Sequence, residues 1–310
     1  MTRKSYIQAK KLRKIILSGL CIAGLIFAAA GCGSKETSQQ DPVVSTSDSD
    51  SEISVTTESS VQEPEQNTEN NNANAATSSK NFLDARVDFA AQPGKPVGAT
   101  EQSEEKVVYL TLDDGPSENT QKVLDILDQY NCKATFFVTG EMPEYKDMIK
   151  VAYDKGHTIG LHTYSHTYSK VYASVDAYFE DLDQIGQMVK DEIGYVPCFI
   201  RFPGGSSNTV SAKYTSGIMS ELVKEVQDRG YQYYDWNASS GDGATKTTQE
   251  LIQQATSYHS NNLILLCHDA QAKDTTVEAL PSIIEYYQSQ GYVFKALDRD
   301  SFVAHHSVNN

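Results

Sequence analysis

Cysteine is sparse in this chain: five residues in 310, none in a CxxC spacing. A zinc ribbon or a disulfide scaffold is therefore excluded as an organising device. Cys21 falls in an apolar leader and Cys32 closes it, so only Cys132, Cys198 and Cys267 remain in the body. Three cannot pair fully, and buried free thiols are expected. Positive charge is also short, with 26 Lys and Arg against 41 Asp and Glu and a net charge of −15. That balance argues against nucleic acid and anionic polymers as partners and favours a neutral substrate. Long apolar runs are missing too. Ile15 to Ala30 is apolar for sixteen residues, short of the ~20 that a transmembrane helix needs. No internal repeat is evident.

What precedes that run is basic: Arg3, Lys4, Lys10, Lys11, Arg13 and Lys14. A basic start, an apolar middle and a small-residue exit have the anatomy of a secretory signal. Ala29-Ala30-Gly31-Cys32 resembles a bacterial lipobox, with Ala29 where Leu is usual. The expectation is a signal peptide over 1–31, lipid on Cys32, and anchorage to the outer face of the cytoplasmic membrane; secretion after ordinary cleavage is the alternative. Gly33 to Lys80 holds nine acids, two bases and scarcely an aliphatic residue. It cannot bury enough surface to offset its ordering entropy, so 32–100 is expected to be a disordered acidic linker ahead of a folded domain over 101–310. Residues 81–105 carry Phe82, Leu83, Val87 and Phe89, enough to pack a short segment onto that domain.

From residue 106 strand and helix patterns alternate. Strands are expected at 106–112, 134–139, 157–161, 198–202, 231–236, 263–267 and 292–297. Helices are expected at 119–130, 144–155, 174–193, 216–229, 247–259 and 276–289. Seven βα units of this spacing predict an α/β fold, a distorted (β/α) barrel of about seven parallel strands.

The polar oddities follow the strands. Val107 to Leu110 runs into Asp113-Asp114-Gly115-Pro116. Alone, that tetrapeptide is more often only a turn. At a strand's carboxyl end, however, two adjacent carboxylates pointing different ways can hold a metal and handle a proton. After the third strand come His162 and His166, four apart, a metal-ligand spacing that with Asp114 makes two imidazoles and one carboxylate. Three ligands leave positions open for water, as a catalytic metal requires. After the fourth strand, Arg201 needs an acid partner, and Gly204-Gly205 lets backbone N–H groups approach a ligand. His268, after the sixth, is placed for a general acid, with Asp235, Asp242 and Asp269 each able to be its partner.

Thr111-Leu112-Asp113-Asp114-Gly115-Pro116, the His162/His166 pair, Arg201-Phe202-Pro203-Gly204, Trp236 to Asp242 and Leu266-Cys267-His268-Asp269 resemble the five ordered motifs of the polysaccharide deacetylases. That family is the NodB-homology domain, carbohydrate esterase family four. The resemblance covers about 106–298. It implies metal-dependent removal of N-acetyl groups from an N-acetylglucosamine polymer, peptidoglycan first, with chitin-type or poly-N-acetylglucosamine polymers as alternatives. It also implies a divalent cofactor, zinc first and cobalt or another dication second, and the chain is expected to be a monomer. Carried across, Asp114, His162 and His166 would bind the metal and Asp113 would be the base, held by Arg201. His268 would be the acid, oriented by Asp242, which lies six residues after Trp236. Gly204, Leu266 and Trp236 would contact substrate, Leu266 at the acetyl methyl. Two departures stand out: the family commonly has an aromatic residue at Gly204 and a Trp at Gly243. A different class of function, a wall-binding lipoprotein with a dead catalytic fold, would have no need of the base and the acid.

Overall fold

β1 (Val107–Asp113) pairs with three other strands of the sheet, and its alternation sets up the site. Val108, Leu110 and Leu112 join the larger apolar cluster under the helices, while Val107 and Tyr109 join a second cluster inside the curled sheet. The two-residue period of a strand carries that inner face on through Thr111 to Asp113. A computed structural model describes residues 87–310 of the chain. The signal segment, Cys32 and most of the acidic linker lie outside the described residues.

The elements follow in chain order. α1 (Glu118–Gln129), β2 (Ala134–Val138), α2 (Asp147–Asp154) and β3 (Thr158–Leu161) lead to α3 (Tyr168–Val171), α4 (Val175–Ile193) and β4 (Phe199–Ile200). α5 (Ile218–Asp228), β5 (Gln232–Tyr233), β6 (Ala238–Ser239), α6 (Thr248–Ala255), β7 (Asn262–His268), α7 (Asp274–Ser289) and β8 (Val293–Phe294) complete the chain. Seven strands lie in the order β5-β4-β3-β2-β1-β7-β6, all parallel, and β8 pairs in parallel with Val107 and Val108 of β1. Four residues join the two edge strands, β5 and β6, so their facing ends lie within about 18 Å at full chain extension. The sheet must therefore curl into a distorted (β/α) barrel with a seam.

The expected strands and helices reappear, but the 198–202 and 231–236 strands shorten to β4 and β5, α3 is added, and three further differences stand out. The seventh strand of the path is β6, a two-residue Ala-Ser strand inside the segment read from sequence as a loop, too short for any alternation to mark it. The expected 292–297 strand shrinks to β8. The 144–155 helix divides into a 3-10 turn, Pro143–Tyr145, and α2. Capping explains the sharper helix starts. Ser117 and Thr247 each form a capping box, and the Ser174 hydroxyl accepts from Ala177 N–H at the head of α4, each cap contributing about 1 kcal/mol.

The folded unit also begins earlier than residue 101. Cys198 N–H donates to Phe89 O, Ala91 N–H to Val196 O and Ala99 N–H to Ser301 O. The Arg299 guanidinium gathers the Asp88, Ala90 and Pro96 carbonyls, and Val97 is buried in the inner cluster. Residues 87–100, left to the linker on composition, are thus part of the domain. The segment from Val303 to His306 lies along the seam, where Asp235 N–H donates to Ala304 O and His306 N–H to Asp235 Oδ2.

Candidate active site

The reactive side chains rise from neighbouring strand ends. Asp113 and His268 are register partners on β1 and β7, as are Thr111 and Leu266. His162 follows β3 and Arg201 follows β4, each tied to the next strand inward by its N–H (His162 to Val138 O, 2.9 Å; Arg201 to Leu161 O, 3.0 Å).

Arg201 is wholly buried and fills the seam of the barrel. Its Nη1 donates to Asp113 Oδ1 (2.7 Å) and Thr111 Oγ1 (2.8 Å), its Nε to Tyr234 O (2.8 Å) and its Nη2 to Asp235 O (3.2 Å). The guanidinium carbon lies 4.4 Å from the Phe137 ring centroid. Arg201 thus has the acid partner its position demands. Burial pushes the Asp113 carboxyl above its ordinary value, against the pull of Arg201. Removing one member of such a pair costs ~3–5 kcal/mol, because the other charge is left alone in the interior.

Asp114, His162 and His166 converge on one point. One ligand atom from each lies within 4.8 Å of the others, and both imidazole Nε2 atoms stand 3.4 Å from Asp114 Oδ1. That oxygen is buried with no hydrogen-bond partner, an arrangement that costs free energy until a cation occupies the point. The His162 ring is fixed for ligation. Its Nδ1–H donates to Arg201 O (2.7 Å), turning the Nε2 lone pair toward Asp114. Burial, with His166 beside it, lowers its pKa to about 3, so the ring is neutral. The residues present fit a divalent ion. Of the four non-glycine residues with positive φ among the described residues, Asp114 (69°), Thr163 (68°) and His166 (45°) sit in these two loops, where strain held by the surroundings commonly marks function. Asp181 of α4 holds the second loop. Its Oδ1 accepts from Tyr164 N–H (2.6 Å) and Ser165 N–H (3.0 Å), and its Oδ2 from the Ser165 hydroxyl (2.6 Å).

His268 faces the trio from the opposite side, with Nε2 4.0 Å from Asp114 Oδ2. Its Nδ1–H donates to Asp242 Oδ1 (2.8 Å), while Asp242 Oδ2 accepts from His268 N–H (2.8 Å) and the Thr276 hydroxyl (2.8 Å). Burial opposes a charge on His268. The bond and charge of Asp242, with Asp113 and Asp114 near, outweigh it and push the pKa up to about 9. Burial also opposes the Asp242 charge, yet His268 and Thr276 hold that carboxyl below its ordinary value. Of the three acids considered from sequence, Asp242 is the one that meets His268. Asp235 accepts instead from Ser206 and His306, and buried Asp269 accepts from the Thr120 hydroxyl (2.6 Å).

Leu266 is buried yet belongs to neither apolar cluster. It shares the inner face of β7 with Ile264 and His268 by strand alternation, which turns it toward the site. Trp236 is half-buried, packed edge-on against His306 and against Gly205, with Arg201 5.8 Å from its ring. Over Gly204 stands the Tyr168 hydroxyl, whereas Gly243 is open. Sequence reasoning singled out neither Tyr168, Asp181 nor Thr276, and it named Thr111 only within the first motif, without a role. For Asp181 the available signal was an acid on the buried face of an amphipathic helix.

A parallel curled sheet with two histidines and two carboxylates at its carboxyl end defines a class of hydrolase, and the comparisons identify it. The polysaccharide deacetylase family model matches residues 100–233. YheN of Bacillus subtilis, named for the same family, is 31% identical over 210 residues, 65% of this chain and 70% of its own. A peptidoglycan-N-acetylglucosamine deacetylase of Bacillus cereus is 30% identical over 217 residues, 66% of this chain and 73% of that one. The crystal structure of the catalytic domain of peptidoglycan N-acetylglucosamine deacetylase from Eubacterium rectale superposes with a TM-score of 0.66 at 45% identity, covering 69% of this chain and 98% of that chain. The chain belongs to the polysaccharide deacetylase family, hydrolases that act on amide bonds.

Proposed function

We propose that this chain hydrolyses the acetamido group of N-acetylglucosamine residues in peptidoglycan, with Asp114, His162 and His166 as metal ligands, Asp113 as base and His268 as acid. One observation carries this reading. Two proton-handling pairs, Asp113 with Arg201 and His268 with Asp242, flank a ligand set whose buried Asp114 Oδ1 has no hydrogen-bond partner. A wall-binding module would have no use for either pair. The relatives named for peptidoglycan deacetylation support the choice of polymer.

A divalent ion, zinc first, would supply Lewis acidity to the amide carbonyl and to the attacking water. The remaining work falls to side chains. Arg201 occupies Asp113 Oδ1 and leaves Oδ2, 3.7 Å from His162 Nε2, facing the site as acceptor for the water's proton. The raised pKa of Asp113 suits a base. As the carbonyl oxygen gains charge, the backbone N–H of Gly204 would donate to it, a contact worth ~3–4 kcal/mol. An amine leaves poorly unless protonated. His268, charged below about pH 9, gives its Nε2 proton to the departing nitrogen, and Asp242 stabilises the imidazolium until then. Leu266 would lie against the acetyl methyl and Trp236 would border the sugar. We further propose that lipid on Cys32 anchors the monomeric enzyme at the outer membrane face, with the acidic segment as its tether.

Acetate release from purified peptidoglycan, chitin oligosaccharides and poly-N-acetylglucosamine, run side by side, tests the substrate. Peptidoglycan should be turned over fastest, and no release from any of the three would remove the reading. Cys32→Ala should shift the protein out of the detergent-soluble lipoprotein fraction of cells; unchanged fractionation would exclude the anchor.

A further inference from the structure

Two hydrogen-bond donors stand beside the ligand set without partners of their own. Among the described residues, Gly204 N–H makes no hydrogen bond, whereas the next N–H, of Gly205, donates to Phe202 O (2.8 Å). Among the described residues the Tyr168 hydroxyl makes no hydrogen bond to another protein group, and it lies over Gly204. A Cβ built on residue 204 would strike Tyr168 Oη, at a backbone φ of +76° that already favours glycine. Only with glycine there can the hydroxyl take that place.

Tyr168 is also held there. Its ring meets His166 edge-on (centroids 6.0 Å apart, planes at 84°) and Tyr172 edge-on (5.4 Å, 69°). The Tyr172 hydroxyl in turn donates to Pro203 O (2.7 Å), tying α3 to the Pro203-Gly204 turn. One tyrosine ring thus spans from a metal-ligand candidate to the glycine, with its O–H over the Cα of the residue whose N–H is free. Two donors held near one another before substrate arrives are the kind of groups that stabilise charge developing on an oxygen.

We propose that Tyr168 is a catalytic residue, whose Oη–H donates to the carbonyl oxygen of the scissile acetamide alongside Gly204 N–H. This rests on the deacetylase reading above. Tyr168→Phe removes the hydroxyl and keeps the ring contacts with His166 and Tyr172. Wild type and variant, both metal-loaded, are compared on an N-acetylglucosamine oligosaccharide and on an activated aryl acetate. The variant should lose about 100-fold in kcat on both substrates with KM little changed. It should bind the product acetate about tenfold more weakly and keep its metal affinity. A raised KM on the oligosaccharide with kcat unchanged would make Tyr168 a sugar contact, and no change would make it packing. Loss of metal would make it a support for His166. Each of these overturns the proposal. If wild type cleaves the ester but no glycan, the substrate reading fails while the ester comparison still decides the role of Tyr168.

Discussion

At the scale of single residues, the pKa of His268 is the most testable quantity, because one neighbour, Asp242, supplies the largest part of what raises it. Burial alone would lower it; the bond and charge of Asp242, helped by Asp113 and Asp114, lift it to about 9. An acid raised in this way is protonated below its pKa, so activity should fall as pH rises through that value, while the acidic limb follows Asp113 as it gains a proton. Asp242→Asn keeps the shape but removes the charge, and burial is then opposed only by the smaller pull of Asp113 and Asp114. The alkaline limb of kcat/KM should move down by about two units, toward the ~6.5 of free imidazole, and neutral-pH turnover should drop by about 10–100-fold. A bound cation lowers the limb in both proteins, so the difference between them is the readout. An unmoved limb would assign it to another group. The wholly buried Arg201 was legible as a residue in need of an acid, and Asp113 meets that need. The partner of His268 was not legible from the residues alone, since Asp235, Asp242 and Asp269 all lie near strand ends and only folding sorts them.

Elements carry the next level of control, and α4 shows how. Its helical period buries Asp181 beside Tyr178, Leu182 and Ile185, and the carboxylate reaches out of that face to close the turn between His162 and His166. Asp181→Ala would leave two backbone N–H groups and the Ser165 hydroxyl unpaired, at ~1–3 kcal/mol for each that stays buried. The turn, already carrying positive φ at Thr163 and His166, should then relax. Metal affinity, measured by competition with a chelator, should weaken about 10–100-fold, with a lower Tm. Affinity equal to wild type would mean that the strained turn holds itself. Strands such as β1 and β7 were readable because seven residues display a full period. α3 was not, since four residues show no helical period, and Tyr168 stayed hidden with it. The early start of the domain was half legible: Phe89 and its neighbours marked a segment able to pack, and Phe89 and Val97 do join the apolar clusters, whereas the Arg299 contacts to three backbone carbonyls leave no pattern in the sequence.

Over the whole molecule, parallel βα units bring five separated sequence segments to one end of a curled sheet. Their order along the chain made the fold and family legible before any coordinates, because each motif follows an apolar strand. The seam was not legible. It is sealed by Arg201 and by the 303–306 segment, through hydrogen bonds to the Tyr234 and Asp235 backbone and to the Asp235 carboxylate, contacts that depend on how far the sheet curls. The same closure seats the base beside a buried cation and the acid beside a buried anion, on either side of the ligand set. Separating those roles is the most direct test. Metal content and acetate release from peptidoglycan are to be measured together on wild type, Asp113→Asn and Asp114→Asn. Wild type should bind one divalent ion and lose acetate release on chelation. Asp113→Asn should keep the ion yet lose turnover by at least ~10²-fold, and Asp114→Asn should lose the ion itself. Acetate release that survives chelation, or an Asp113→Asn protein as metal-free as Asp114→Asn, would contradict this division of labour.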